Sequence, residues 1–408
     1  MKLTEISGGV CAPKGFKANG IHCGIRKNKI KKDLALIVSD VRCNVACVYT
    51  TNLVKGAPIL VTKKNVAGGY AQAVIVNSGN ANTCNADGIE IADGMCALVE
   101  KHCGIPASDV VIASTGVIGQ KLSLEPIAGG MKELVEGLES TSVGSLAAAE
   151  AIMTTDTVPK ELAYEFQLGE IKCHIGAICK GVGMLCPNMA TMLMFITTDV
   201  SISPEMLQKA LSADVKDSLN MVSVDRDTST NDTLCVMASG LAGNAVIDRA
   251  DTDYKKFCRA LHAVTTALCK KIAADGEGAT KLIECNVTGA KSKQIARTVA
   301  KSVVCSNLLK AAIFGADANW GRVLCAIGYS GAAVNVKKIG VSFTSAASEI
   351  EVCEEGMGID FSEDAAKKVL SEKEIGIQVN LHDGNYGATA WGCDLTYEYV
   401  HINGDYRS

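Results

Sequence analysis

Apolar residues in the first third of the chain come in short runs that close on turn residues. "DLALIVSD" (33–40), "CVYTTN" (47–52), "AVIVNSG" (73–79) and "DVVIASTG" (109–116) have this form, which predicts buried strands. Between them, "GIEIADGMCALVEKHCG" (88–104) and "SLAAAEAIMTT" (145–155) carry helical patterns. "SPEMLQKALSADVKDSLNMVSV" opens a further helix, with Ser203 as N-cap and Pro204 at the first helical position. "DTLCVMASG" (232–240) predicts a strand, and "DYKKFCRALHAVTTALCKKIAADGEG" (253–278) a long helix ending in glycine. From about Lys281 the pattern changes. "LIECNVTGA" is a strand, "KSKQIARTVAKSVVCSNLLKAAIFG" is mostly helix, and more strands lead to the C-terminus. This divides the chain into a main α/β domain over 1–281 and a smaller α/β domain over 282–408. No low-complexity linker or fixed-period repeat marks the border.

Composition narrows the class. The 408 residues are 48% hydrophobic, 21% charged and only 4% aromatic, so the core is built from small and β-branched side chains that suit layered α/β packing. Net charge is −4, and the clusters "RKNKIKK" (26–32) and "TKK" (62–64) read as solvated turns. A nucleic-acid surface needs a larger basic stripe with aromatics, so small molecules are the expected partners, with neither nucleic acid nor membrane. Of the 18 cysteines, Cys179, Cys186, Cys235, Cys305 and Cys325 sit in apolar runs, as small buried hydrophobes do. "MKLTEISGGV" lacks the apolar stretch of a signal peptide and no segment is long enough to span a membrane, so a reduced cytoplasm is expected. Cys43-x-x-x-Cys47 has no second Cys/His pair at zinc-finger spacing, and no metal is expected.

Phosphate-binding motifs are lacking. "DGEGATK" (275–281) follows a helix and has the wrong spacing for a phosphate loop, and no G-x-G-x-x-G opens a helix after a strand. None of the six histidines, His22, His102, His174, His262, His382 and His401, lies in a hydrolase or zincin context. "GVGMLCPNMATMLMFITTD" (181–199) is different, because a turn runs into Met189-Ala190 and Thr191 then opens an apolar run. Read alone, Thr191 is a β-branched residue starting a buried strand. Read as chemistry, its hydroxyl would attack the Ala190 carbonyl, and cleavage would free an α-amino group to serve as the base. Such an amine has a pKa of about 7.7 to 8.0, near working pH. Acyl transfer also needs oxyanion donors. In "ASTGVIGQKL" (113–122), Thr115 can donate and Gly116 allows close backbone approach, although the same residues make a plain turn.

Taken together, "KGVGMLCPNMATMLMFITTD", "STGVIG", "IMTTDTVPK", "DTSTNDT" and the tail "GATAWGCDLTYEYVHINGDYRS" resemble the glutamate N-acetyltransferase (ornithine acetyltransferase) family of arginine biosynthesis. "GGVCAPKGFKANGIHCGI", "VNSGNANTCNA" and "GADANWGR" extend the resemblance over essentially the whole chain. It implies a layered α-β-β-α-type sandwich of the N-terminal-nucleophile kind, with a smaller C-terminal α/β domain whose tail returns to the active site. It implies self-cleavage between Ala190 and Thr191, giving pieces 1–190 and 191–408 that assemble with two copies of each. Thr191 would take acetyl from N-acetylornithine and pass it to glutamate through an acetyl-enzyme, without a cofactor. Some members also use acetyl-CoA as a donor substrate, and no motif here decides that activity. The family's oxyanion pair falls on Thr115 and Gly116, and its substrate contacts on Thr154, Lys180, Thr191, Glu277, Asn403 and Ser408. In this reading Lys180 counters a carboxylate and Glu277 the ornithine ammonium. One departure stands out. Arg226 lies between Asp225 and Asp227 where the family pattern has glycine. Two rival readings are a hydrolase with the same self-cleaved nucleophile, and a binding protein that never cleaves.

Overall fold

The polypeptide folds into two compact units, one formed by residues 1–181, 188–215 and 228–268, the other by 182–187, 216–227 and 269–408. The computed structural model describes residues 2–28, 30–184 and 192–405. In the first unit, nine strands form one sheet among the described residues. They are β1 (Thr4–Ile6), β2 (Phe16–Ile21), β3 (Leu34–Tyr49), β4 (Tyr70–Asn80), β5 (Val110–Val117), β6 (Lys160–Leu168), β7 (Ile171–Lys180), β8 (Leu193–Thr198) and, after the short β9 (Val222–Ser223) of the second unit, β10 (Thr233–Ala238). Their order is β1-β6-β7-β8-β10-β3-β4-β5, with β2 pairing β3 off this path.

Continuous apolar runs make sense here because the sheet is covered on both faces. Alternate residues of its strands enter different cores. Ala35, Ile37, Val74, Val76, Val111 and Ala113 pack with Ala148, Ala149 and Ile152 of the helix α4 (Ser142–Ile152). Their neighbours Leu34, Leu36, Ala73, Ile75, Val110 and Ile112 pack with α1 (Ala57–Asn65), α2 (Gly88–Cys103) and α3 (Glu125–Glu136), through Val61, Met95, Val99, Met131 and Leu134. The unit also holds α5 (Pro204–Asp214), whose N-cap Ser203 accepts a hydrogen bond from Met206 N. Helix α6 spans Thr252–Ala274.

The second unit has a seven-stranded sheet in the order β14-β13-β12-β15-β11-β16-β9. Its remaining strands are β11 (Leu282–Ala290), β12 (Gly340–Thr344), β13 (Glu349–Glu354), β14 (Met357–Gly358), β15 (Glu374–Asn380) and β16 (Tyr386–Cys393). The helices are α7 (Lys293–Val304), α8 (Asn307–Phe314), α9 (Trp320–Gly328), α10 (Glu363–Leu370) and α11 (Tyr397–Gly404). Both units are mixed α/β, and the described residues carry two sheets.

The elements differ from the sequence expectation at several places. Residues 34–40 and 47–49 of two expected strands belong to one strand, β3, because no Gly or Pro interrupts "VRCNVA" and the irregularity is absorbed as a register shift between Val38 and Cys43. The pair β6–β7, joined through Gly169-Glu170, adds a hairpin to the expected strands, and "ELAYEFQLGEIKCHIGAI" alternates as a hairpin should. The predicted helix over 291–315 divides into α7 and α8, since Ser306 caps a new helix by accepting from Leu309 N. Among the cysteines expected to be buried, Cys179 and Cys235 are, whereas Cys305 is half-buried and Cys325 is exposed on the outer face of α9, and Cys186 lies outside the described residues. No described helix is long and apolar enough to cross a membrane.

Candidate active site

Thr115 and Gly116 lie near the end of β5, where the parallel β4–β5 ladder becomes irregular at Gly79 and Asn80. Gly116 has φ +132°, and a Cβ there would stand 2.3 Å from the Gly79 carbonyl carbon, so only glycine fits. A buried amide network holds this strand end. Asn231 Nδ2 donates to Ser114 O at 3.0 Å and to Ala81 O at 2.6 Å, while its Oδ1 accepts from the Thr83 and Thr230 hydroxyls. The Ser114 hydroxyl donates to Asn77 Oδ1 at 2.6 Å.

Lys180, the last residue of β7, is 3% exposed and donates from Nζ to the Thr115 hydroxyl oxygen at 3.3 Å. A second buried lysine, Lys160, opens β6 and pairs with Asp156 at 2.9 Å. Asp156 also accepts from Gly181 N at 3.0 Å and from Thr154 N at 3.0 Å. Burial alone would raise the Asp156 pKa. The charges of Lys180 and Lys160 and the hydrogen bonds from Lys160 and Gly181 outweigh it, and the carboxyl is held down at about 2. Asp156 thus fixes the Thr154 segment, Lys160 and the residue after Lys180 at one point. Asp232 behaves oppositely. Burial pushes its pKa well up, and although Oδ1 accepts Met192 N at 2.7 Å, Oδ2 is buried without a hydrogen-bond partner among the described residues.

In the second unit Glu277 is buried, and its N–H donates to Val182 O at 2.8 Å. Gly183 leaves room for its carboxylate, since a Cβ there would lie 2.2 Å from Oε2. Asn403 on α11 donates from Nδ2 to Glu277 Oε2 at 2.8 Å. Arg226 has φ +75°, a left-handed angle that glycine adopts more readily than arginine, so the loop carries some backbone strain there.

Of the residues singled out in the sequence, the structure brings Lys180 to Thr115 in one unit and Asn403 to Glu277 in the other. Thr154 joins the first set through Asp156. Ala190, Thr191 and Ser408 lie outside the described residues. Asp156, Lys160, Asn231 and Asp232 were not singled out, although "IMTTDTVPK" and "DTSTNDT" contain them. A carboxylate four residues before a lysine was the available signal, and it reads equally as a surface pair. Among the described residues no group of three or more His, Cys, Asp or Glu could hold a metal.

Comparison with known proteins gives these clusters a context. The ArgJ family model matches residues 17–408. The arginine biosynthesis bifunctional protein ArgJ 1 of Clostridium acetobutylicum is 50% identical over 394 residues, covering 96% of each chain. The corresponding protein of Caldanaerobacter subterraneus subsp. tengcongensis is 47% identical over 404 residues, covering 99% of each. Among solved structures, the ornithine acetyltransferase of Mycobacterium tuberculosis complexed with ornithine is 32% identical with a TM-score of 0.43, covering 47% of this chain and all of that one. The family match and the two full-length relatives define an acyltransferase enzyme of arginine biosynthesis. More particularly, the chain belongs to the ArgJ family.

Proposed function

We propose that the protein transfers acetyl from N-acetylornithine to glutamate, by way of an acetyl ester on Thr191 that self-cleavage makes available. In the precursor, the Thr191 hydroxyl adds to the Ala190 carbonyl, the peptide C–N bond breaks, and water hydrolyses the resulting ester. The products are the Ala190 carboxylate and a free Thr191 amine beside its own hydroxyl. That amine then accepts the hydroxyl proton as oxygen attacks the acetyl carbon. The proton passes to the leaving ornithine nitrogen, and glutamate's amine reverses the sequence.

The observation that carries this reading is the buried Lys180–Thr115 contact beside Gly116. A fixed ammonium 3.3 Å from a hydroxyl keeps that hydroxyl's own proton free to point at a developing oxyanion. Thr115 and Gly116 are assigned to the oxyanion, and Thr154, Lys180, Glu277, Asn403 and Ser408 to substrate recognition. Lys180 serves a carboxylate, and Glu277 serves the ornithine ammonium. Acetyl-CoA is an alternative donor for the same acyl-enzyme, and two copies of each piece make the assembly.

The test combines denaturing intact mass with a transfer assay. Wild type should split between Ala190 and Thr191, Thr191→Ala should remain whole, and N-acetylornithine alone should leave 42 Da on the 191–408 piece, by the arithmetic of replacing H with acetyl on an ester. Acetyl appearing in water faster than in glutamate would instead make the enzyme a hydrolase. An unbroken, active wild type would end the reading.

A further inference from the structure

In the second unit one carboxylate joins three segments that are distant in sequence. Asp225 Oδ2 accepts from Met184 N and, at 3.3 Å, from the Tyr399 hydroxyl. Its other oxygen accepts Asp227 N at 3.2 Å, closing the turn in which Arg226 has positive φ. Met184 is the last described residue before the segment that contains Ala190 and Thr191. Tyr399 lies on α11, one helical turn before Asn403 and on the same face, and its carbonyl accepts Asn403 Nδ2 at 3.0 Å.

Helix α11 contributes no buried residue of its own. It is eight residues long, with Tyr397 86% and Val400 70% exposed. A helix this short is not stable by itself, so contacts from outside must set its position. Two of those contacts fall on residues 277 and 278. The Thr396 hydroxyl donates to Gly278 O at 2.7 Å, and a Cβ on Gly278, where φ is +69°, would stand 2.6 Å from Tyr399 N. Burial, then the charges of Asp225 and Glu277, push the Tyr399 pKa up, so its hydroxyl remains a donor across the working range.

We infer that Tyr399 and Asp225 are positioning residues for the transfer reaction: their hydrogen bond sets the rotation of α11 so that Asn403 meets Glu277, and the same carboxylate holds the approach to the cleavage segment. The inference rests on the function proposed above. Tyr399→Phe removes one oxygen and nothing else. Tyr397→Phe, whose ring lies edge-on against Phe314, is the control on the same helix.

Tyr399→Phe is expected to cleave itself like wild type and to keep kcat within about twofold, while KM for N-acetylornithine rises by up to about tenfold, the loss of one hydrogen bond to a carboxylate. Asp225→Asn, which also weakens the bonds from Met184 N and Asp227 N, should raise KM at least as much, and the double variant by no more than Asp225→Asn alone, because the Tyr399–Asp225 contact is shared by both changes. Amide exchange over 397–404 should quicken in Tyr399→Phe and not in Tyr397→Phe. Unchanged KM and unchanged exchange in Tyr399→Phe overturn the inference, as do additive effects in the double variant. A wild type that cleaves but transfers nothing sinks the proposed function alone, since the exchange comparison still decides whether the Tyr399 contact holds α11.

Discussion

Asp156 is the residue on which most local charge depends. It is buried with Lys160, itself 1% exposed, and it feels Lys180 as well. Removing the carboxylate leaves buried ammonium charge without its partner, which costs about 3–5 kcal/mol. Asp156→Asn keeps the shape and one acceptor but loses the charge, so it should be strongly destabilised in urea unfolding at pH 7. The pH dependence follows from the lowered pKa. The folded value of about 2 lies below the ordinary 3.8, so the carboxylate's contribution is complete above about 4 and is lost as pH falls through about 2. The stability gap between wild type and Asp156→Asn should therefore narrow between pH 4 and pH 2. A gap that stays constant over that range would mean the pKa is not lowered. Little of this was legible beforehand. "TTDTVPK" spells the pair, but only the packing of β6 and β7 shows that both ends are dry.

Gly116 works at the scale of an element, because it is where β4 and β5 come too close for a side chain. Gly116→Ala forces a Cβ into the Gly79–Asn80 peptide at a backbone angle that alanine avoids, with an expected loss of about 2–3 kcal/mol. Gly119, three residues on, has φ +76° but open space around its Cβ position. Gly119→Ala should cost only about 1 kcal/mol, the backbone penalty alone. Equal midpoints for the two in urea would show that the close approach carries no weight.

The same stretch illustrates how far the sequence could be read. "ASTGVIG" announced a strand ending in a glycine turn, and β5 does so. What it could not announce was Asn231, which arrives from 117 positions away to hold Ser114 O. Short-range patterns recovered β4, β5, β11 and the capped α5, whose signals are contained in a dozen residues. The merging of two expected strands into β3 escaped, because its continuity depends on a register shift against a neighbour. The tie from Asp225 to Tyr399 spans 174 positions and has no local signature. Thr191 lies outside the described residues, and its motif supports a proposed chemistry without fixing a shape.

At the scale of the molecule, the first sheet is threaded by both sides of the proposed cleavage point. Strands β8 and β10 follow residue 191, yet they sit in the middle of the sheet. On one side β8 pairs antiparallel with β7, from Ile175 with Thr198 to Lys180 with Leu193. On the other, β10 pairs antiparallel with β3, from Thr233 with Tyr49 to Ala238 with Asn44. Between them β8 and β10 run parallel. Cutting after Ala190 would thus remove one covalent link while leaving two strand ladders and the core around Phe195 and Met237 intact. Separating the pieces would expose four strand edges and that core together, so dissociation should require global unfolding. The cleaved enzyme should run as one species in native size-exclusion at high salt and divide into two only in denaturant. The piece 1–190 made alone should lack the bridge between β7 and β3 and be recovered as aggregate, whereas coexpression with 191–408 should restore one soluble species. If the two pieces instead part under native conditions, the ladders β7–β8 and β3–β10 cannot be the contacts that hold the cleaved chain together.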